Sequence, residues 1–133
     1  MSPRSVDELL EEARRRLDRL DADEAAAAVD AGAVLVDIRS DSQRARDGAV
    51  PGALHVARNE LEWRADPACD YRDPRIADPG RRVILMCDAG YQSSLAAATL
   101  QELGIERATD LAGGFQAWRA AGLPVEPAAE PAD

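Results

Sequence analysis

Lysine is absent from this chain of 133 residues, because each of its 16 basic residues is an arginine. Without a lysine amine, the protein cannot use Schiff-base or lysine-nucleophile chemistry. Long apolar runs are missing too, since nothing approaches the roughly 18 consecutive apolar residues that predict a transmembrane helix. The first four residues also lack the apolar stretch of a signal peptide. We therefore expect a soluble, cytoplasmic protein that has no membrane partner.

Positive charge is the minority sign in this composition. The chain has 25 acidic residues against 16 basic ones, which gives a formal net charge of −9 at pH 7. Proteins that bind nucleic acids need a basic face to contact the phosphates, so no nucleic-acid partner is expected. The length corresponds to one domain, which is large enough to bury about two thirds of its unfolded surface.

Cysteine and histidine are scarce, and this scarcity limits disulfide and metal chemistry. The chain has two cysteines, Cys69 and Cys87, and one histidine, His55. A disulfide framework is not expected in an intracellular chain of this size, and the two cysteines lack the spacing of a zinc site. A four-ligand metal centre would have to combine His55 with carboxylates from scattered places. We therefore expect neither a metal nor another cofactor.

Alternating strand and helix patterns predict the fold class. Residues 33–38 and 82–86 are short apolar segments with β-branched side chains, which are typical of strands buried in a parallel sheet. Further strands are predicted at residues 17–20, 54–56 and 108–111, and longer helices at 24–31, 93–103 and 115–121. The alternation predicts a doubly wound α/β fold, with about five mostly parallel strands and helices on both faces of the sheet.

The same pattern divides the chain into three regions. Residues 1–16 are predicted to form an amphipathic helix, residues 17–125 the α/β domain, and residues 126–133 a flexible acidic tail. The first helix carries its apolar face at Val6, Leu9, Leu10, Ala13 and Leu17. Residues 66–80 contain three prolines and few apolar side chains, so they are predicted to form a long loop.

Short polar motifs mark the starts of four helices. In a capping box, two side chains satisfy the first free amides of a helix. Candidate caps are Ser5 with Glu8, Asp21 or Asp23, Ser40 with Gln43, and Asn59 with Glu62. The arginine run at residues 14–16 ends the first helix, where positive charge suits the helix dipole, and it is predicted to be a solvated face.

Cys87 occupies the most reactive position that this pattern predicts. It ends the second buried strand and precedes a short loop and a helix, at the sheet edge where α/β folds bind ligands. The amides of such a loop form a nest for an anion, which favours a thiolate and makes the sulfur more nucleophilic. Gly90 lets the loop curl with a positive φ, and Ser93 and Ser94 supply hydroxyls as helix caps or as donors towards the sulfur. The alternative is that Cys87 is a small, buried, unreactive side chain.

Other side chains near the strand ends are weaker candidates. Asp37 and Arg39 follow the first buried strand, where they either steady the loop or form a structural ion pair, and the ion pair is favoured. Arg58 and Trp63 follow the strand at 54–56 and are candidates for the opposite wall of a pocket. For Trp63, a position in the core is favoured over a role in binding.

Four segments of the chain match the motifs of a known family in the family's order. They are VLVDIRS at 34–40, GAVPGALHV at 48–56, VILMCDAGYQSS at 83–94 and LAGGFQAWRAAGLPV at 111–125. The most specific is the last one, with its double glycine followed by Trp118, Gly122 and Pro124. On these residues the chain resembles a single-domain member of the rhodanese superfamily of sulfurtransferases. The resemblance covers about residues 17–125, which would then be a rhodanese-like domain.

This resemblance implies sulfur transfer through a persulfide on Cys87. The Cys87 sulfur would take up the outer sulfur atom of a small donor, either thiosulfate or a persulfide, and hold it as Cys87–S–S⁻. A thiol, cyanide or a protein acceptor would then remove it. Such covalent catalysis needs an anion cradle more than a general base. The cradle would consist of Asp88, Ala89, Gly90, Tyr91, Gln92 and Ser93.

Two residues of this loop depart from the family's pattern. Gln92 stands where many members have an arginine, and Asp88 stands where members that use thiosulfate often have a basic residue. A solvated carboxylate beside a dianionic donor costs about 1 kcal/mol, so a persulfide donor is expected rather than thiosulfate. These departures leave open a second function, that of a non-catalytic interaction or persulfide-sensing module.

A phosphatase is the third function that the resemblance leaves open. The related phosphatases use a loop one residue longer, with an arginine at the sixth position after the cysteine that holds phosphate through two hydrogen bonds. Ser93 occupies that position in this chain. The loop therefore favours the sulfurtransferase over the phosphatase.

Overall fold

The computed structural model describes residues 2–129 of the chain. Six helices are found in this part: α1 (Val6–Arg15), α2 (Ala22–Asp30), α3 (Asp41–Asp47), α4 (Leu61–Ala65), α5 (Gln92–Glu102) and α6 (Gly114–Ala120). The strands between them are β1 (Val34–Asp37), β2 (Leu54–His55), β3 (Val83–Met86) and β4 (Thr109–Asp110). None of the helices within residues 2–129 has both the length and the apolar character required to cross a membrane.

The strands form one parallel sheet in the order β2-β1-β3-β4. β1 and β3 lie at its centre and pair in register from Val34 with Val83 to Asp37 with Met86. Because these two strands run in the same direction, their carboxyl ends meet at one edge of the sheet. Asp37 and Cys87, which follows Met86, therefore lie at the edge where α/β folds place their ligand sites.

The described residues contain four strands rather than about five, because the predicted strand at 17–20 is reduced to a single bridge. The helix before it extends to a C-cap at Arg16, and Asp21 already caps the next helix. Leu20 is left to pair with Leu111 through one parallel bridge. Two helices that follow each other so closely leave too little extended chain for a strand.

Helices cover both faces of the sheet, as predicted. On one face, α4 and α5 contribute to a core that includes Val36, Val83 and Leu85. On the other face, α2 and α6 pack with Leu35 and Ile84. The central strands are thus covered on both sides, which explains why their sequences are almost continuously apolar.

Three of the four predicted helix starts carry their capping hydrogen bonds. Complete capping boxes are present at Ser5, Asp21 and Ser40, where each side chain accepts an amide of the first turn. The cap predicted at Asn59 is wrong, because α4 begins after Glu60 without a side-chain cap.

The apolar face of α1 is narrower than the sequence predicts. Leu10 and Ala13 are buried, and Leu17 follows them into the core. Val6 and Leu9 remain exposed. The packing of α1 is directed mainly towards α5, so the last turn of α1 comes close to the start of α5.

Residues 66–80 contain no helix or strand, as predicted, but side chains within this loop are anchored. Asp73 and Ile76 are buried. The Asp73 carboxylate accepts a hydrogen bond of 2.7 Å from Arg75 Nη2, and the Arg64 guanidinium lies 3.6 Å away. These ion pairs hold the pKa of the Asp73 carboxyl below its usual range.

The region predicted as a flexible tail, residues 126–133, begins with a residue that is held in place. Glu126 and Ala49 exchange two backbone hydrogen bonds, of 2.7 and 2.8 Å. Residues 130–133 lie outside the described residues. Flexibility of the tail beyond Glu126 therefore stays a prediction.

Candidate active site

Cys87 lies directly after β3, and only 2 % of its surface is exposed. The Gly90 N–H donates a hydrogen bond to Cys87 Sγ over 3.1 Å. The thiol in turn donates to Ser93 Oγ over 3.3 Å. The sulfur therefore has polar partners in the loop and in the first turn of α5, while its other side faces the apolar core.

The loop after Cys87 curls tightly at Gly90. This residue has a φ of +85°, in the left-handed region that side chains disfavour, so the predicted positive φ is present. A Cβ atom on Gly90 would also lie 2.6 Å from the backbone nitrogen of Gly113. The position therefore requires glycine for its conformation and for its close approach to the double glycine at the start of α6.

Backbone amides at the start of α6 hold two carbonyl groups of this loop. The Phe115 N–H donates to the Cys87 carbonyl over 2.8 Å, and the Gln116 N–H donates to the Asp88 carbonyl over 3.2 Å. Gly114 permits this approach, because a Cβ atom there would collide with both carbonyl oxygens. These two hydrogen bonds fasten the loop to α6 through main-chain groups.

Fastening these carbonyls determines where the following amides point. In a trans peptide, the C=O group and the next N–H group point in opposite directions. The N–H groups that follow the two fastened carbonyls therefore point away from α6. Within residues 2–129, no hydrogen-bond acceptor is found for the amides of Asp88, Ala89, Tyr91 and Gln92. These amides remain available to an anion at the sulfur.

Asp110 is a buried carboxylate at this site that the sequence analysis missed. It ends β4, is fully buried, and accepts hydrogen bonds from Ser93 Oγ and Ser94 Oγ over 2.7 and 2.8 Å. Arg19 neutralises it, with Nε 2.9 Å from Oδ1. Both serines lie inside α5 and do not cap it, and the Ser93 hydroxyl connects Cys87 with Asp110. The signal that could have identified Asp110 is its place at the end of the strand next to β3.

Two arginines that precede α2 reach the same loop. Arg14 Nη2 and Arg19 Nη2 both donate to the Gly90 carbonyl, over 2.9 and 3.0 Å. Arg14 Nε also donates to Ser94 Oγ. The solvated face predicted for residues 14–16 is therefore wrong for Arg14, because its partners lie 76 and 80 residues further along the chain.

Asp37 and Arg39 form a buried ion pair at the end of β1, in line with the favoured interpretation. Arg39 Nε and Nη2 lie 3.0 and 2.8 Å from the two carboxylate oxygens of Asp37. The guanidinium also donates to the Gly48 carbonyl and stacks on the Phe115 ring, with 3.9 Å to the ring centre. Its connection to the site is indirect, since the Phe115 amide holds the Cys87 carbonyl.

Arg58 and Trp63 are not joined to the loop by any hydrogen bond within the described residues. Arg58 Nη1 lies 2.7 Å from Glu62 Oε1, so its charge is already paired. Trp63 is 58 % exposed, and the core position favoured from the sequence is therefore wrong. A role of these two residues in the wall of a pocket stays a prediction.

Asp88 carries the charge closest in sequence to the sulfur. It is partly exposed, and its Oδ1 accepts a hydrogen bond of 2.9 Å from Gln116 Nε2. Ala89, Tyr91 and Gln92 are exposed around it, and none of them is charged. No group of three or more His, Cys, Asp or Glu side chains within residues 2–129 is arranged to hold a metal ion.

Comparison with known proteins connects this geometry with one family. The model of the rhodanese-like domain matches residues 21–121. The thiosulfate sulfurtransferase GlpE of Actinobacillus pleuropneumoniae serotype 5b (strain L20) is 37% identical over 97 residues, which are 73% of this chain and 81% of that protein. A sulfurtransferase of Allochromatium vinosum is 33% identical over 92 residues, which are 69% of this chain and 77% of that protein.

Solved structures share the fold of this chain. A Rhodopseudomonas palustris protein of unknown function, described as a possible tyrosine phosphatase, matches with a TM-score of 0.85 and 34% identity over 95% of this chain and 97% of its own. A thiosulfate sulfurtransferase from Pseudomonas aeruginosa matches with a TM-score of 0.66 and 29% identity, over 83% of this chain and 19% of that chain. The family match, the curated relatives and the fold together establish that this chain belongs to the rhodanese-like family and is a rhodanese-type sulfurtransferase.

Proposed function

We propose that Cys87 is the nucleophile that carries the transferred sulfur. Its thiolate attacks the outer sulfur of the donor, the S–S bond of the donor breaks, and the bonding electron pair leaves with the rest of the donor. The outer sulfur remains as Cys87–S–S⁻. An acceptor thiolate, or cyanide, then attacks that sulfur, and Cys87 leaves as a thiolate. In each step, one bond to the transferred sulfur forms while another breaks, so no external oxidant or reductant is needed.

The main support for this proposal is the group of free amides around the buried sulfur. The Gly90 N–H already donates to Cys87 Sγ over 3.1 Å. Further donors without an internal acceptor in the described part of the chain are the amides of Asp88, Ala89, Tyr91 and Gln92. Such preorganised donors stabilise an anion without the cost of reorienting water, and α5 adds its positive end. This supports a persulfide anion in the loop.

We also propose a persulfide, rather than thiosulfate, as the preferred donor. Asp88 follows the nucleophile, and the Gln116 amide that donates a hydrogen bond to it leaves its negative charge in place. A doubly charged thiosulfate is repelled by about 1 kcal/mol at such a solvated carboxylate, and a singly charged persulfide by less. The GlpE relatives are named thiosulfate sulfurtransferases, so thiosulfate is the informative comparison donor. We propose a small thiol or a protein thiol as the acceptor, and the cytoplasm, where thiols stay reduced, as the location.

Intact mass after incubation with several donors tests the nucleophile. We expect the wild-type chain to gain one sulfur atom from a small persulfide, and peptide mapping to place it on Cys87. Cys69→Ser is a matched control, since the chain has only these two cysteines. This control should gain the sulfur and form thiocyanate from cyanide, whereas Cys87→Ser should do neither.

Two results would contradict the proposal. If thiosulfate, persulfides and mercaptopyruvate all leave the mass unchanged, the chain is a non-catalytic interaction module. If it instead hydrolyses an aryl phosphate and vanadate inhibits that reaction, the phosphatase named in the description of the Rhodopseudomonas neighbour is the better assignment.

A further inference from the structure

The Gly90 carbonyl is held by two cationic side chains at once. Arg14 Nη2 lies 2.9 Å from its oxygen and Arg19 Nη2 lies 3.0 Å from it. A carbonyl oxygen has two lone pairs, which match these two donors, and Ser94 Oγ lies further away, at 3.5 Å. Hydrogen bonds from a charged donor are about twice as strong as those between neutral groups. These two hydrogen bonds are therefore expected to determine the orientation of the Gly90 carbonyl.

Each of the two guanidinium groups is itself held in place. Arg19 binds both carboxylate oxygens of Asp110, over 2.9 and 3.1 Å, and Asp110 is fully buried. Arg14 donates through Nε to Ser94 Oγ over 3.2 Å, and its guanidinium lies 5.6 Å from the centre of the Tyr91 ring. The side chains therefore approach Gly90 from fixed positions on the side of α1 and β4.

The held carbonyl determines the direction of one amide of the cradle. The C=O of Gly90 and the N–H of Tyr91 belong to the same peptide and point in opposite directions. With the oxygen held towards the arginines, the Tyr91 N–H points away from them. Gly90 alone would not enforce this, because a glycine permits the neighbouring peptide planes to rotate more freely than other residues do.

We propose that Arg14 and Arg19 are positioning residues for the persulfide, which they serve by holding the Tyr91 amide in the direction of its outer sulfur. This inference rests on the proposed function of Cys87. Both arginines lie before residues 21–121, the part that matches the rhodanese-like domain. The N-terminal segment of this chain thus contributes to the shape of the site without contacting the substrate.

The loading equilibrium of Cys87 measures this contribution. The protein is mixed with fixed ratios of a small persulfide and its parent thiol, and the fraction carrying the added sulfur is read by intact mass. The test variants are Arg14→Ala and Arg19→Lys, and Arg15→Ala is the matched control. Arg15 belongs to the same run, but its one ion pair within residues 2–129 is an exposed contact with Glu11. Arg19→Lys keeps a positive charge beside Asp110, but an ammonium lacks the planar fork that serves two acceptors.

We expect each test variant to load with an equilibrium constant about tenfold lower than the wild type, the effect of losing one hydrogen bond to a charged group. Arg15→Ala should load like the wild type. Thermal unfolding is recorded for all variants, since loss of stability alone does not change the loading of molecules that are folded. If Arg19→Lys does not fold, Arg14→Ala decides, because it leaves the Arg19–Asp110 pair intact.

Two outcomes overturn the inference, and they differ in what else they overturn. If the wild type takes up sulfur on Cys87 and both test variants load equally well, the positioning role is refuted and the proposed function stands. If the wild type takes up no sulfur, the proposed function fails and the positioning role fails with it.

Discussion

Three carbonyl groups of the loop accept hydrogen bonds from groups outside it, so the conformation of the loop depends little on its own side chains. The carbonyls of Cys87 and Asp88 accept from the start of α6, and that of Gly90 accepts from the two arginines. Hydrogen bonds to the main chain are independent of the side chains at Ala89 and Gln92, which are exposed. The loop can therefore lack the arginine of many relatives and still present its amides.

Asp88→Asn should raise the turnover of thiosulfate. The substitution removes a negative charge next to Cys87, and the asparagine oxygen can still accept a hydrogen bond from Gln116. Relief of about 1 kcal/mol of repulsion corresponds to about a fivefold increase in kcat/KM. The measurement is thiocyanate formation at low ionic strength, with thiosulfate and with a persulfide donor in parallel.

The control for Asp88→Asn is Glu106→Gln, which removes an exposed charge between α5 and β4. It should leave both donors unaffected. An equal gain for thiosulfate and for the persulfide, or no gain for either, would show that Asp88 does not select the donor by charge.

At the scale of elements, the contact between α6 and the loop depends on a glycine that accepts no substitution. Gly114 has a φ of +59°, and a Cβ atom there would collide with the carbonyl oxygens of Cys87 and Asp88. Gly122 also has a positive φ, of +75°, but nothing lies within 4 Å of its Cβ position. Substituting the two glycines therefore distinguishes the cost of backbone strain, which both positions share, from the cost of a direct clash, which occurs only at Gly114.

Gly122→Ala should lower the free energy of unfolding by about 1 kcal/mol, the cost of a left-handed conformation with a side chain. Gly114→Ala should lower it by a further 1–3 kcal/mol, roughly the range for overpacking, and should also reduce sulfur loading on Cys87. Urea unfolding and intact mass measure the two effects. Equal losses in both variants would mean that the loop moves aside without cost.

Local motifs and distant contacts differ in how far the sequence predicts them. The caps at Ser5 and Ser40 follow from residues three positions apart, so they were predictable and are present. The contacts of Arg19 with Asp110 and of Arg14 with Gly90 span 91 and 76 residues. Such pairs depend on how α1 packs against α5 and on the bridge between Leu20 and Leu111, and hydrophobic periodicity alone specifies neither.

The sequence predicted the central strands correctly but missed the positions of two individual residues, Trp63 and Asp110. Residues around β1 and β3 are apolar on both sides, which indicates central strands and thereby places Cys87 at a ligand-binding edge. The exposed position of Trp63 was missed because an aromatic side chain carries the same pattern on a surface helix as in a core. Asp110 was missed although its strand was predicted, because the strand was expected to run to residue 111 and β4 ends at Asp110.

For the molecule as a whole, an ion-pair group between α3 and α6 predicts sensitivity to acid. Asp47 accepts hydrogen bonds from Arg46 and from Gln116, and Arg119 lies 3.6 Å away. These contacts, with Arg46 first, lower the pKa of the Asp47 carboxyl from its usual 3.8 to about 2. Because the pKa is lower in the folded state, the stabilisation is complete above the unfolded value and is lost as the pH falls towards 2.

Asp47→Asn should therefore lower the free energy of unfolding above about pH 4, and the difference from the wild type should shrink as the pH approaches about 2. Urea unfolding across this range measures it. Asp18→Asn, which removes an exposed carboxylate without an ion pair in the described part of the chain, controls for the change in net charge. A difference that stays constant down to about pH 2 would exclude ionisation of Asp47 as its source.

The position of α1 has a consequence for protein engineering. A fragment trimmed to residues 21–121 keeps all four strands but loses Arg14, Arg19 and the apolar side chains that α1 places on α5. Transplanting residues 87–93 into a shorter relative would likewise leave the Gly90 oxygen without its two cations. A transplant of the loop therefore has to include residues 6–20 as well, since α1 starts at Val6, Arg19 follows it, and the family match begins only at residue 21.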